Sequence, residues 1–198
     1  MGQPMARPRQ VPTAIVDTYI LESSPEEDER GSVGELLRRN WVPSVEFVQW
    51  NVVQSVAGAL RGVHWHERHH DLIAPVAGTV LVGLADLRAG SPTRRVAELI
   101  ELDAQGPVAV VVPPGVAHGL YSNEPTTLLY AVSRYWDDED EFGVAFDDPE
   151  LGISWPFGRG DVILSERDQA LPRLSELVSR TTRPGASSFA SLSGHPSP

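Results

Sequence analysis

The sequence contains no cysteine among its 198 residues. Disulfide bonds, thiolate zinc sites and cysteine nucleophiles are therefore excluded, and a bound metal would need His, Asp or Glu ligands. The sequence also lacks an apolar run of the roughly 18 residues that a membrane span requires, and "MGQPMARPRQ" has no apolar core of a signal peptide. From these absences we expect a cytoplasmic protein without a membrane partner.

Positive charge is scarce and lysine is absent: 16 arginines stand against 27 acidic residues, for a net charge of −11. This balance disfavours nonspecific binding to nucleic acid or to an anionic membrane. It does not prevent a local arginine or histidine pocket from holding a phosphate group. We therefore expect no nucleic-acid partner.

The composition predicts one folded domain between two termini that lack regular structure. Residues 1–12 and 181–198 are rich in Pro, Ser and Gly, which predicts a flexible N-terminus and a disordered C-terminal tail. Residues 13–180 have the length of a single domain. Their short β-branched or aromatic runs, separated by Gly, Pro, Asn and Asp, predict an all-β antiparallel sandwich or barrel. These runs are "AIVDTYIL", "VEFVQWNVV", "DLIAPVAG", "TVLVGLADL", "VAELIEL", "VAVVVPP" and "TTLLYAVSRYW".

Helix signals are few. "GSVGELLRR" has the pattern of a short helix. "LSERDQALPRLSELVSR" begins with a serine that can cap a turn and continues with a leucine-rich stripe that would pack on the sheet. We therefore expect a short helical segment at the C-terminal side of the domain.

Histidines cluster in "GVHWHERHHDLIAPVAG". In an extended strand His64 and His66 share one face while Trp65 points to the other. Two imidazoles that face the same interior are typical of a functional site. His69 and His70 follow in a turn that is equally consistent with a solvated surface. The acidic run Asp137–Glu141 is interpreted as a solvated loop.

The spacing of these residues resembles the two cupin motifs. His64, His66 and Asp71 match the first motif, with six residues between Asp71 and a glycine, and "PPGVAHG" matches the second with His118. In metal-binding cupins these positions supply three imidazoles and a carboxylate to one divalent ion. One hypothesis is therefore a metal site formed by His64, His66, Asp71 and His118.

A longer series of segments is similar to one cupin family, the dTDP-4-dehydrorhamnose 3,5-epimerases of deoxysugar and rhamnose biosynthesis. The series runs collinearly from about Asp28 to Asp168 and consists of "GALRGVHW", "VLVGLADLRAGSPT", "VPPGVAHGLYS", "LLYAVSRYW", "FDDPELGISWP" and "LSERD". The resemblance implies an all-β cupin-type antiparallel barrel or jelly roll with a short C-terminal helical segment. It also implies a nucleotide-sugar substrate, no cofactor, and a homodimer in which N-terminal strands pair or exchange.

The resemblance assigns catalytic roles to three residues. His64 matches the base that removes a proton next to the 4-ketone of the sugar, and Asp168 matches the carboxylate that orients this histidine. Tyr130 matches the acid on the opposite face of the ring. These roles agree with the chemistry, because epimerisation takes a proton from one face and returns one to the other.

Other positions match the substrate-binding residues of the family. Arg61 is the candidate for the diphosphate, because guanidinium pairs with phosphate through two hydrogen bonds. Arg30 and Glu35 match the nucleotide-facing N-terminal segment. The remaining candidates for substrate binding are Gln49, Asn51, His118, Tyr135, His66 and His70.

The chain departs from the family at one charged position. The family usually has a lysine at the start of the strand after the catalytic histidine, where it helps to stabilise the enolate. Asp71 stands there in this chain, and a carboxylate in place of an ammonium removes a favourable charge. Lost activity, compensation by His66 or His70 as an imidazolium, and epimerisation of a single carbon are three possible consequences.

Three functions therefore stay open on the sequence alone. The first is a metal-independent epimerase acting on C3, C5 or both carbons of a dTDP-4-keto-6-deoxyhexose. The second is a metal-dependent cupin, either a dioxygenase or an isomerase. The third is a family member that binds a sugar nucleotide without catalysis.

Overall fold

Alternating apolar residues form the β-strands of this protein, whose computed structural model describes residues 8–181, with only the backbone of residues 178–181. The strands are β1 (Arg9–Pro12), β2 (Tyr19–Glu22), β3 (Glu26–Asp28), β4 (Gly31–Val33), β5 (Gln49–Ser55), β6 (Ala59–Trp65), β7 (Asp71–Ala77), β8 (Thr79–Asp86), β9 (Ala97–Asp103), β10 (Val108–Val112), β11 (Val116–Ser122), β12 (Thr126–Val132) and β13 (Phe142–Gly143). The helices are α1 (Glu166–Gln169) and α2 (Leu174–Thr181), and short 3-10 turns cover Arg39–Trp41, Asp138–Asp140, Pro149–Leu151 and Arg159–Asp161.

Two antiparallel sheets carry the fold. The six-stranded sheet has the order β1-β2-β10-β7-β12-β5, and the five-stranded sheet has the order β13-β6-β11-β8-β9. Strands β3 and β4 form a separate hairpin. The all-β antiparallel architecture predicted from the sequence is therefore confirmed.

The core lies between the two sheets. Val80, Val82 and Leu84 alternate along β8 and are fully buried, as a strand with one inward face requires. Ile73 of β7 and Val110 of β10 belong to the same cluster from the opposite sheet. Each such side chain contributes about 1.5–3 kcal/mol through burial. This shared core fixes the two sheets against each other and so positions the residues at their edges.

The outer faces of the sheets are also covered. Trp41 and Val45 pack on the six-stranded sheet, while Phe146 and Leu151 pack on the five-stranded one. Ser165 Oγ accepts a hydrogen bond from Asp168 N at 3.1 Å and caps α1. Leu174 and Leu177 of the predicted leucine stripe join the outer cluster of the five-stranded sheet. The short C-terminal helical segment is therefore present, and none of the helices described between residues 8 and 181 has the length and apolarity of a membrane span.

Two expectations about the N-terminal region are wrong. Residues 9–12 form β1 rather than a flexible end, because they pair antiparallel with Tyr19–Glu22. "GSVGELLRR" does not form a helix; its first residues are β4, paired with Glu26–Asp28. Residue 181 ends α2, and the rest of the predicted tail, with residues 1–7, lies outside the described residues.

Candidate active site

A cavity of about 800 Å³ is lined by residues of both sheets and by the segment around α1. This volume falls in the usual range of small-molecule sites. The six-stranded sheet contributes residues of β5 and β12, and the five-stranded sheet contributes residues of β6 and β11. The predicted site residues that line the cavity are Gln49, Asn51, Arg61, His64, His66, His118, Tyr130 and Asp168.

His64 and Asp168 form a dyad in this cavity. His64 Nε2 lies 2.7 Å from Asp168 Oδ1, although the two residues are far apart in the sequence. The carboxylate accepts a hydrogen, so Nε2 carries the proton of the neutral imidazole and Nδ1 is its basic nitrogen. Burial raises the pKa of Asp168, but the hydrogen bond and charge of His64 outweigh it and hold the pKa below its usual value. The carboxylate therefore stays ionised beside the imidazole.

Gly62 completes the support of this dyad. Its N–H donates to Asp168 Oδ2 at 3.3 Å. Its φ is +107°, and a Cβ at this position would lie 2.8 Å from the carbonyl oxygen of His118. Both features require glycine, which explains the glycine two residues before His64.

Glu141 is a second carboxylate beside His64 that the sequence did not single out. Glu141 Oε1 lies 3.5 Å from His64 Nδ1 and accepts a hydrogen bond from Arg167 at 2.7 Å. Trp136 Nε1 donates to the other oxygen at 2.8 Å. Burial raises the pKa of Glu141, but the charges of His64 and His66 and the hydrogen bonds from Trp136 and Arg167 outweigh this effect. The pKa of Glu141 therefore lies below its usual value. Glu141 is thus a fixed anion at the cavity wall.

The acidic run before Glu141 is not a solvated loop at its C-terminal end. Asp140 is 2% exposed. Its two oxygens accept hydrogen bonds from the backbone N–H groups of Glu67 and Arg68 at 2.9 and 3.1 Å. These bonds offset the cost of burying the carboxylate. Asp140 therefore ties the histidine turn to the segment that carries Glu141.

Tyr130 contributes a hydroxyl from the opposite sheet. The hydroxyl donates to Asp71 Oδ1 at 3.0 Å and lies 2.8 Å from His118 Nε2. Burial, followed by the charge of Asp71, raises the pKa of Tyr130 well above its usual value. Burial lowers the pKa of His118 to about 4, so its imidazole is neutral at physiological pH. Tyr130 is therefore a protonated donor held between an imidazole and a carboxylate.

His66 and His69 stack beside this group. Their ring centroids are 4.0 Å apart, and both rings line the cavity. His69 is only 2% exposed, so the solvated surface, one of the two alternatives that the sequence left open for it, is excluded. Its Nδ1 lies 3.1 Å from Asp140 Oδ2, and its Nε2 lies 3.5 Å from Asp71 Oδ1. Two carboxylates therefore flank this imidazole, which explains how a polar ring is tolerated there.

Four predicted binding residues do not line the cavity. His70 is half-buried on the far side of the turn, where its N–H donates to Ser133 Oγ at 2.8 Å. Tyr135 is 76% exposed. Arg30 pairs with Asp28 in the exposed β3–β4 hairpin, and Glu35 pairs with Arg38. None of these four residues is among those that line the cavity within this chain.

The four residues of the metal hypothesis do not converge. His64 is engaged with Asp168, while His66, Asp71 and His118 each bring one ligand atom within 4.8 Å of the others. A second group of this kind is formed by His66, His69 and Asp140. The Tyr130 hydroxyl bonds to both Asp71 and His118 and so occupies their facing atoms. The geometry thus suits a hydrogen-bonded network better than a four-ligand metal centre.

Arg61, Gln49 and Asn51 lie on the cavity wall next to the catalytic candidates. The Arg61 guanidinium donates to Ser55 Oγ at 3.0 Å and to the carbonyl of Gln54 at 2.8 Å, which fixes its position. Gln49 Nε2 donates to Asn51 Oδ1 at 3.2 Å. Together they provide one cation and two amides for a polar ligand.

Comparison with known proteins finds a family model and relatives that carry the same description. The family model for dTDP-4-dehydrorhamnose 3,5-epimerase matches residues 12–176. The enzyme of that description from Pseudomonas aeruginosa is 34% identical over 166 residues, covering 79% of this chain and 90% of its own length. One from Neisseria gonorrhoeae is 31% identical over 167 residues, which is 81% of this chain but about half, 51%, of the relative.

A solved structure has the same fold. ChmJ, a 3'-monoepimerase from Streptomyces bikiniensis crystallised with dTDP-quinovose, superimposes with a TM-score of 0.79 and is 30% identical. The match covers 85% of this chain and 89% of that one. The cupin-type assignment made from the sequence is therefore confirmed.

Proposed function

Because the chain belongs to the dTDP-4-dehydrorhamnose 3,5-epimerase family, we propose that it inverts C3, C5 or both carbons of a dTDP-4-keto-6-deoxyhexose by proton transfer. The observation that carries this proposal is the cavity in which the His64–Asp168 dyad and Tyr130 meet. A nucleotide-sugar substrate is further supported by ChmJ, which was crystallised with dTDP-quinovose.

His64 is the base of the proposed reaction. A C–H bond next to the 4-ketone breaks, its electron pair enters the enolate, and the proton moves to His64 Nδ1 because Nε2 already carries a hydrogen. The imidazolium that results is stabilised by Asp168, whose oxygen lies 2.7 Å from Nε2. Glu141, at 3.5 Å from Nδ1, adds a second negative charge beside it.

Tyr130 is the proposed acid. His64 lies on β6 of the five-stranded sheet, whereas Tyr130 lies on β12 of the six-stranded sheet. A sugar ring between the sheets would meet the two groups on opposite faces, as inversion requires. The raised pKa of Tyr130 keeps its proton in place until the enolate forms.

The remaining cavity residues suit a nucleotide diphosphate. Arg61 is proposed to bind the diphosphate, and Gln49 and Asn51 the polar edge of the sugar or base. Arg30 and Glu35 would reach the cavity of a second subunit if the exposed β3–β4 hairpin exchanges within a homodimer. Mixing Arg30→Ala and His64→Ala proteins tests this: mixed dimers then contain one complete cavity and regain activity, whereas independent cavities give no recovery.

We further propose that the reaction needs no metal, since the Tyr130 hydroxyl is bonded to two of the candidate ligands. Solvent exchange that persists in the presence of a chelator, in protein whose metal content is far below one ion per chain, is the expected result. Loss of exchange on chelation, with recovery on adding one divalent metal, would instead favour the metal-dependent cupin.

The central experiment measures deuterium uptake from solvent into a dTDP-4-keto-6-deoxyhexose by mass spectrometry, with NMR to assign C3 or C5. Wild-type protein is expected to exchange, and His64→Ala and Tyr130→Phe are expected to abolish it. Tyr121→Phe is the matched control, because Tyr121 packs against Phe157 away from the cavity. Tight binding without exchange in the wild type would overturn the catalytic proposal in favour of a binding protein.

A further inference from the structure

Asp71 poses a problem for the acid Tyr130. When Tyr130 gives its proton to the enolate carbon, the C–H bond takes the enolate electron pair, and the negative charge passes to the tyrosinate oxygen. The tyrosinate oxygen then faces Asp71 Oδ1, which lies 3.0 Å from the hydroxyl oxygen in this structure and belongs to a carboxylate that is already anionic. Two negative charges at this separation repel strongly in a buried site. The step therefore needs a positive charge close to Asp71.

The arginines that line the cavity are hydrogen-bonded to groups other than Asp71. Arg61 is bonded to Ser55 and Gln54, and Arg167 is bonded to Glu141. Lysine is absent from the chain. In the turn between β6 and β7, His69 Nε2 and His66 Nε2 lie 3.5 and 4.0 Å from Asp71 Oδ1.

His69 has the geometry that this role requires. Its Nδ1 is held at 3.1 Å by Asp140 Oδ2, and its Nε2 lies 3.5 Å from Asp71 Oδ1, the oxygen that accepts the Tyr130 hydrogen bond. Nε2 is buried and makes no hydrogen bond in this state. It is thus a buried polar atom beside the one oxygen that loses a hydrogen bond when Tyr130 gives up its proton.

We propose that His69 is a positioning residue whose imidazolium, held between Asp140 and Asp71, balances the charge of Asp71 and so lets Tyr130 act as the acid. The inference rests on the proposed function and names the residue that replaces the family's lysine in this chain. His69 acts through Asp71 and keeps both of its protons in the step. Its Nε2–H moves from 3.5 Å into a hydrogen bond with Asp71 Oδ1 as the Tyr130 hydroxyl proton leaves.

The surroundings of His69 agree with a charged ring. Burial lowers the pKa of His69, but the carboxylates of Asp71 and Asp140, at 3.5 and 3.1 Å from its two ring nitrogens, outweigh this effect, and the pKa lies above its usual value. Other titratable or charged neighbours are His66, stacked at 4.0 Å, His70, next in the chain, and Arg68, at 3.5 Å from Asp140. The two carboxylates make direct contact with the ring nitrogens.

The test compares kcat, KM and their pH dependence for solvent exchange. His69→Gln is expected to lower kcat about tenfold or more with KM within about threefold, because the charge matters in the transition state. In the wild type, activity falls as the pH rises through the pKa of His69. Asp140→Asn is expected to move this fall to lower pH, because it removes one of the charges that hold the proton.

A rescue and a stability control separate charge from structure. Asp71→Asn added to His69→Gln is expected to restore part of kcat, since the anion that needed balancing is gone. Ile15→Val, a buried change outside the cavity, controls for lost stability. An equal loss of kcat at all pH values with no rescue would show a structural role and overturn the proposal, as would His69→Gln with unchanged kcat.

An NMR measurement keeps the proposal testable apart from activity. In protein with ¹⁵N-labelled imidazoles, the His69 signals, assigned by their loss in His69→Gln, are expected to show both nitrogens protonated at pH 7. A neutral ring at this pH overturns the inference even if the wild type is active. Absence of wild-type exchange with a charged His69 would overturn the proposed function, and with it the role of His69 in Tyr130 chemistry.

Discussion

Replacing Asp168 with asparagine changes the charge of the dyad while keeping its shape. Asp168 uses one oxygen for His64 Nε2 at 2.7 Å and the other for the N–H of Gly62 at 3.3 Å. Both partners are donors, whereas an amide offers only one acceptor oxygen. In either orientation, therefore, the asparagine NH₂ faces a donor, and the imidazolium formed during catalysis loses its counterion.

The size of the effect depends on the orientation of the amide. If its oxygen stays on His64, the loss is that of one charged hydrogen bond, about 1.5–3 kcal/mol, or roughly 10- to 150-fold in kcat. If the NH₂ turns to His64, Nε2 becomes the acceptor and the proton moves to Nδ1, which can then no longer act as the base. A wrong tautomer of this kind costs on the order of 10⁴-fold.

The assay is solvent deuterium exchange at saturating substrate, with thermal unfolding and dTDP binding as checks on folding. Asp161→Asn serves as the matched control, because Asp161 is exposed and its carboxylate accepts a hydrogen bond from Gly158 N in its own turn. We expect the control to match the wild type and Asp168→Asn to lose at least about tenfold. A folded Asp168→Asn protein within about threefold of the wild type would refute the assigned role of the dyad.

Three further predictions concern buried residues. Burial raises the pKa of Asp86, but hydrogen bonds from Arg88 and from the hydroxyls of Ser91 and Thr93 hold the pKa well below its usual value. Asp86→Asn should therefore lower the free energy of unfolding by about 3 kcal/mol at pH 7. Because the folded pKa is depressed, this difference should shrink as the pH falls below about 4, and a constant difference in urea unfolding would contradict the reasoning. Burial lowers the pKa of His118 to about 4, which predicts a ring that stays neutral in an NMR titration down to about pH 5. The contribution of the neutral His118 ring to stability is complete above about pH 6.5 and is lost as the pH falls toward 4. A titration midpoint near 6.5 would contradict this prediction. Gly62→Ala should lower the thermal unfolding midpoint and kcat together, since its Cβ would lie 2.8 Å from the His118 carbonyl oxygen, and an unchanged midpoint would show that the backbone adjusts.

Much of the fold and part of the site could be predicted from the sequence. The alternating runs predict the strands because one face of each sheet packs on the shared core, and the collinear segments predict the family. His64, Tyr130 and Asp168 could be named only through that resemblance. Nothing local to Asp168 shows that it lies 2.7 Å from His64 on another element, since this contact depends on how α1 docks against β6.

The wrong interpretation of the acidic run and the alternatives left open for His69 have one physical cause. No sequence period reveals which charged or polar residues of an irregular segment turn inward. Asp140 and His69 are both 2% exposed, and each helps the other to be buried: the carboxylate accepts from the imidazole at 3.1 Å and from two backbone N–H groups. Their burial is a property of the pair, which a single sequence cannot display.

Asp71 should be considered together with the turn before it. Asp71 begins β7 and is in register with Val112 and Val132, so its negative charge lies within a regular sheet and cannot move away from Tyr130. The turn residues His66 and His69 stack against each other, with His69 Nε2 at 3.5 Å and His66 Nε2 at 4.0 Å from Asp71 Oδ1. A strand that fixes an anion and a turn that brings two imidazoles to it form one unit. Replacing Asp71 alone with lysine is therefore expected to lower activity, because the ammonium would face two imidazoles that are arranged around a carboxylate.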